Sequence, residues 1–414
     1  MELEVTPSDP TLLRSRSPAA WVKGFAILPF GLALGFVSTA LPFLLTRQGV
    51  SLGRVSGISA AVLSPTVWAF LFKPMLDSGL SRSTYCLILT ATASVSLALG
   101  VAMLTPAHLS IAAPALLIST LSMVWYTGAS NGWTSQVTGD HERGAVAGWQ
   151  NVANLGGGAL GSFAVMGLLK GGILSQTTVG LLMGALVWVG ATPLLFFPKP
   201  LPPQFRISEV FSATLGSIWR SMKRRECLVG FALFLSPAAG TAAGNLISGL
   251  GKDFSASETT VIWVTGIWSA LAGSVGALLG GRLADRFPRG YVYLFAGFGT
   301  AATALATVVL PHTPQVFVVI VLLYGMVTGA IYASYNALGF ELTGDSPVAS
   351  TKLGLFAATI NANVTYMTVA DGFGYKKGGA TGMFLVDGLA SLVCIVPLLF
   401  LVKAERRRRA LGLT

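Results

Sequence analysis

The sequence predicts an all-α polytopic membrane protein, with twelve transmembrane helices in two pseudo-repeated six-helix bundles. Three observations carry that expectation. First, the 414-residue chain is 53% hydrophobic and 10% charged, with a mean hydropathy of +0.70. Soluble domains carry about 25% charged residues, so a chain this poor in charge lacks the polar surface to face water. Second, twelve apolar stretches reach the roughly 20 residues that cross a bilayer as a helix. Third, a charged turn lies between two apolar stretches once in each half. It is Lys73-Pro-Met-Leu-Asp77 with Arg82 beyond it, and later Gly281-Arg-Leu-Ala-Asp-Arg-Phe-Pro-Arg289; Asp77 and Asp285 are 208 positions apart.

Taken in order, the first six stretches run over about 22–46, 55–75, 85–104, 109–132, 144–169 and 177–197. The second six run over about 228–250, 259–281, 290–310, 314–340, 350–371 and 379–402. The long interior connection is Pro198-Lys-Pro-Leu-Pro-Pro203 and the polar segment through Arg225. The expected organisation is therefore an N-terminal bundle over 1–197, a linker over 198–226 and a C-terminal bundle over 227–414. Within the linker, Val210, Phe211, Leu215, Ile218, Trp219 and Met222 recur at helical spacing ahead of Lys223-Arg-Arg225. That pattern predicts an amphipathic helix lying on the membrane face. A second echo joins the halves: Thr138-Gly-Asp140 after the fourth stretch and Thr343-Gly-Asp345 after the tenth. Related halves with a binding site between them are a recurring transporter plan.

Orientation follows from the basic residues. With both termini cytoplasmic, 21 of the 27 lysines and arginines fall on the cytoplasmic side and 6 on the other. This positive-inside bias also accounts for the net charge of +11 without nucleic acid as a partner. Met1 to about Ala20 is polar and lacks a signal-peptide pattern, so the first span is expected to be retained. Cys86, Cys227 and Cys394 show no CxxC or metal-type spacing and read as packing residues.

Nothing in the chain reads as an enzyme. His108, His141 and His312 form no metal pattern with cysteine, and no phosphate-cradling loop or nucleophile elbow is present. No cofactor or metal is expected, and uphill transport would draw on an ion gradient or a partner. Asp387, in Phe384-Leu-Val-Asp-Gly388, is the one acid well inside a predicted span. Buried charge in hydrocarbon is expensive and marks functional sites, so Asp387 is read as a proton-coupling site or substrate contact. Its alternative is a hydrogen bond between helices. Asp371 is expected to end its span as a loop residue.

A candidate substrate-binding set accompanies Asp387: Trp125, Tyr126, Asn131, Gln150, Asn154, Tyr332, Asn336, Asn361 and Tyr366. Gln150 and Asn154 share a helix face, as do Tyr332 and Asn336. The competing role for each is packing between spans, where amides often bridge helices. The candidate lining holds few fixed charges, which suits a mixed apolar–polar ligand of moderate size. The gating candidates are Asp77, Arg82, Gly281, Asp285, Arg286 and Arg289. There a glycine would allow helices to approach, while the acid and arginines would form a breakable lock.

The Gly281-x-Leu-Ala-Asp-Arg286 segment resembles the loop motif of the major facilitator superfamily. Lys73 stands where the first-half copy usually has glycine. Three further segments resemble the muropeptide permease and acetyl-CoA transporter branch. They are Gly35-Phe-Val-Ser-Thr-Ala-Leu-Pro42, Phe72-Lys-Pro-Met-Leu-Asp77, and Glu142-Arg-Gly-Ala-Val-Ala-Gly-Trp-Gln150 with Asn154-Leu-Gly-Gly-Gly158. That branch also holds small siderophore importers, such as the pyochelin and rhizobactin permeases, which this chain approaches in size. The resemblance implies a monomeric transporter of the bacterial inner membrane. Its cargo would be a siderophore, as the iron complex, driven inward by protons with alternating access. A muropeptide permease is the alternative within transporters; a membrane scaffold or sensor is the alternative outside them.

Overall fold

The computed structural model describes residues 18–411, apart from 78, 140–141, 173, 201–215, 217–224 and 344–348. Twelve helices follow one another in this set. They are α1 (Ala20–Arg47), α2 (Leu52–Phe72), α3 (Arg82–Ala102), α4 (Leu109–Val137), α5 (Arg143–Lys170) and α6 (Gln176–Gly190). Then come α7 (Arg225–Leu235), α8 (Glu258–Arg286), α9 (Arg289–Val309) and α10 (Pro314–Thr343), with α11 (349–377) and α12 (380–410) joined at Gly378–Gly379. Among the described residues, ten helical stretches are long and apolar enough to cross a membrane, the last of them holding both α11 and α12. The chain is a multi-pass membrane protein.

Local chemistry explains several boundaries. Ser81, Ser175 and Ser257 cap α3, α6 and α8, each hydroxyl accepting the amide N–H three residues on, at 3.1–3.2 Å. In α1 the helix widens to a π turn at Phe36–Ala40, just before Pro42, whose missing N–H disturbs the ladder there. The hairpin between α11 and α12 turns on Gly379 at φ +59, a backbone that side chains disfavour.

The predicted seventh span is not one helix. α7 stops at Leu235, and Pro237 is succeeded by short 3-10 turns through Leu250. Proline lacks the N–H that would continue the helix, and Gly240, Gly244 and Gly249 lower the helical propensity of the stretch beyond it. Carbonyls freed at depth need partners. Three side chains supply them. Asn363 donates to Ser236 O at 2.5 Å, Tyr366 to Leu235 O at 2.5 Å, and Ser391 to Pro237 O at 2.8 Å.

The first six helices pack on one another, with α1 against α5 and α6, and α3 against α4 and α6. Among the last six, α8 packs on α10, and α9 on α10 and α12. One difference from the sequence expectation concerns the charged turn. α8 runs on to Arg286, so Asp285 and Arg286 sit on its last helical turn and the true bend is Phe287–Pro288. Another concerns α11, which continues six residues past its expected end at Asp371. The amphipathic linker segment, Asp140, His141 and Asp345 lie outside the described residues.

Candidate functional site

The side chain of Asp77 lies outside the described set. Arg82, at the start of α3, donates to Gly132 O on α4. Asp285 and Arg286 are exposed, and neither makes a hydrogen bond or ion pair with a described residue. Arg289 opens α9 and pairs with Glu341 on α10 at 3.5 Å. Arg225 on α7 pairs with Glu405 on α12 at 3.2 Å. Gly281 does not have the packing role expected of it: a Cβ there would meet nothing within 4 Å. Close approach of α8 to α10 belongs instead to Gly276 and Gly280, where a Cβ would fall 1.7 Å from Met326 O and 2.6 Å from Ala330 Cα.

The opposite end of the molecule holds the two halves together. Arg47 pairs with Glu258 at 3.1 Å, and Lys170 bonds Thr259. Phe163 stacks edge-on to Trp263 at 4.9 Å, and Ser248 donates to Thr39 O at 2.7 Å. A Cβ on Gly372 of α11 would collide with the Ser56 hydroxyl of α2. Nearer the charged turns, Asn361 donates to Thr66 O at 3.3 Å.

Asp387 is fully buried on α12. Tyr324 on α10 donates its hydroxyl to Asp387 Oδ2 at 2.6 Å, and Oδ1 has no partner. Asp371 is not a loop residue. It lies inside α11, fully buried, with both carboxylate oxygens unpartnered. In the loop beyond α7, Asp253 accepts from Tyr375 at 3.1 Å. Burial pushes the Asp253 carboxyl up from the usual aspartate range, while the Tyr375 hydroxyl and nearby His312 pull the other way.

The candidate binding residues divide. Gln150 donates to Asn131 Oδ1 at 3.0 Å, which joins α5 to α4. Tyr332 and Asn336 lie exposed on α10, and Asn154 is half-buried where α5 meets Gly31 of α1. Four others are tied to backbone. Tyr126 is fully buried and donates at 2.6 Å to the carbonyl of Ala26, which with Ile27 forms a turn that interrupts α1. Trp125 donates to Ala69 O at 3.0 Å. Asn361 and Tyr366 are spent on the carbonyls of Thr66 and Leu235.

Sequence reasoning missed Lys23, counted only as a cytoplasmic charge. It is fully buried, pairs with Glu142 and donates to Val137 O at 3.1 Å. Glu142 in turn accepts from the Gly139 N–H at 3.0 Å. The one available signal was position: Lys23 falls inside a helix whose next residues are all apolar.

Residues 229–413 match the family model of the Major Facilitator Superfamily. The nucleoside transporter NupG superposes with a TM-score of 0.69 at 15% identity, over 92% of this chain and 98% of that one. The chain has the major facilitator fold. A D-xylose-proton symporter is similar at a TM-score of 0.66 and 13% identity, over 92% and 96% of the two chains. A POT family transporter in complex with a thioalcohol-conjugated peptide matches at 0.71 and 10%, over 93% and 96%. No curated protein sequence matches. Within the major facilitator fold, the contacts between the halves close the end opposite the charged turns.

Proposed function

We propose that this chain is a secondary transporter of the bacterial inner membrane, with both termini cytoplasmic, that imports a siderophore as its iron complex by proton symport. The proposal treats 1–197 and 227–414 as two bundles that rock about the site between them, with 198–226 as their linker. The observation that carries it is Asp387. It is an acid sealed within the last six helices, bonded by one tyrosine hydroxyl and by no described cation. Such a group is costly as an anion in a dry interior, and coupling to a proton gives it a use.

The substrate class rests on the polar groups left accessible in apolar helices. Asn131 with Gln150, and Tyr332 with Asn336, offer amides and aromatic faces rather than fixed charge. Polar side chains of this kind in a span are expected to face a cavity rather than lipid. Asn154 belongs to the proposed binding set, and Trp125, Tyr126, Asn361 and Tyr366 complete it from beside, through the backbone they hold. Asp77, Arg82, Asp285, Arg286 and Arg289 are proposed to gate the charged-turn end.

The test is uptake by purified protein in liposomes, with an imposed pH gradient and a panel of ferric siderophores and muropeptides. Accumulation of an aromatic ferric chelate is expected, with Asp387→Asn retaining ligand binding and losing at least about 90% of uphill accumulation, a tenfold effect. Accumulation of muropeptides alone would replace the substrate. Undiminished accumulation in Asp387→Asn would remove that residue from coupling.

A further inference from the structure

Two acids, not one, are sealed inside the last six helices. Asp371 on α11 and Asp387 on α12 are both fully buried. The hairpin at Gly378–Gly379 runs the two helices antiparallel, and glycines let them touch: a Cβ on Gly374 would lie 2.6 Å from Gly382 O, and one on Gly382 would lie 2.3 Å from Gly374 O. With 374 opposite 382, residue 371 falls level with 385, within one helical turn of Asp387. The two carboxyls lie within electrostatic reach of each other, and Tyr324 within reach of both.

Their surroundings supply no described counter-charge. α10 contributes the Tyr324 hydroxyl, already given to Asp387 Oδ2. The unwound stretch after α7 contributes Gly240, and Ser391 of α12 is bonded to Pro237 O. α9 presents Leu305 and Ala304 to Gly388. α2 meets α11 through Ser56 and Gly53, while its Arg54 is exposed. Lys376 and Lys377 at the end of α11 are exposed, Lys377 lying over the Phe373 ring. His312 stacks on Phe254, whose ring also meets Phe384 edge-on. Asp387 Oδ1 and both oxygens of Asp371 are left without a partner among the described residues.

We propose that Asp371 and Asp387 form one carboxyl pair that holds a single shared proton, and that this is the proton transport is coupled to. The proposal rests on the coupling reading of Asp387. Two adjacent carboxylates without a cation repel each other and lose hydration, so both cannot stay ionised in a dry core. One proton held by the pair leaves it a single negative charge, which lowers the cost of burying two acids side by side. The pair is one unit with one charge change, from minus one to minus two, when its proton leaves. Tyr375 lies one turn along α11 from Asp371, on the same face, and donates to Asp253 at the closed end. That line of groups leads from the loop at the closed end toward the pair.

Infrared difference spectroscopy of the full chain in proteoliposomes, stepped in pH, tests this directly through the C=O stretch of a protonated carboxyl. The wild type is expected to show such a band near neutral pH and to lose it as pH rises. Asp371→Asn and Asp387→Asn should each move the titration midpoint by about one pH unit or more, because each removes its partner's charge. The double variant should lose the band, and Asp371→Glu should restore the wild-type profile. A wild type without the band overturns the proposal whatever the variants do. If Asp387→Asn abolishes the band and uphill uptake while Asp371→Asn leaves both unchanged, the pair is wrong and Asp387 couples alone. If the double variant keeps full proton-driven uptake, both readings fall. Uptake driven by a sodium gradient and indifferent to pH would make this a metal-ion site and also overturn the shared proton.

Discussion

Lys23 shows how far a single residue's role can depart from its place in the chain. A lysine near the start of a span reads as a topology anchor, because most such lysines reach the headgroups. Here the ammonium is fully enclosed, and its partners come from residues more than a hundred positions away. Removing one member of a buried pair leaves the other charge uncompensated. Glu142→Gln is therefore expected to cost about 3 kcal/mol or more of stability, less whatever solvent reaches the partly exposed glutamate. Lys23→Met combined with Glu142→Gln should cost less than Glu142→Gln alone, since the buried ammonium is removed together with its acid partner. Melting temperatures of Lys23→Met, Glu142→Gln and the double variant in detergent decide this; losses that simply add in the double variant would mean the pair carries no coupling. Asp371 was illegible for a related reason. The Gly372, Gly374 and two lysines that come after it look like a loop, whereas the helix continues because Gly372 and Gly374 fit against α2 and α12.

At the scale of elements the sequence was far more readable. Hydrophobic run length located the spans, since a bilayer demands helices of that length and each satisfies its own backbone. Span 7 broke the pattern. Pro237 ends the helix there, and the cost of leaving it is met by Asn363, Tyr366 and Ser391 from other helices, which no local pattern shows. Tyr126 and Tyr366 were legible as polar groups at depth. Their commitment to backbone carbonyls was not, because that depends on where α1 and α7 are interrupted. Glycines sort the same way. Gly276 and Gly281 look equivalent in sequence, yet one touches α10 and the other faces open space. Gly276→Val is expected to force α8 from α10 and to cut the yield of folded, monodisperse protein severalfold, while Gly281→Ala leaves yield and melting temperature near wild type. Size-exclusion profiles of the two variants measure the contrast; equal behaviour would refute the packing role of Gly276.

At the scale of the whole molecule, the described contacts between the halves concentrate at the end opposite the charged turns, so transport by alternating access requires that end to part. The tightest point is Gly372 against Ser56, where an added Cβ would stand 1.6 Å from the hydroxyl oxygen. Nothing there yields by rotating a long side chain: the contact is a helix backbone against a short serine. Gly372→Ala should therefore wedge α11 from α2 and favour the state in which this end is open. Ser56→Gly should reverse the effect in the double variant by returning the space. Thr46, half-buried beside Gly249 of the other half, is a suitable reporter. In a background with Cys86, Cys227 and Cys394 replaced by serine, a Thr46→Cys thiol should label severalfold faster in Gly372→Ala than in the parent, and at the parental rate once Ser56→Gly is added. Asp285→Asn should act in the opposite sense. Asp285 stands exposed in the present arrangement, so any partner it gains on closure of the charged-turn end stabilises only the other state. Losing that partner should slow labelling at Thr46→Cys. Unchanged rates across all three variants would mean that the Gly372–Ser56 contact and Asp285 do not bias the exchange between states.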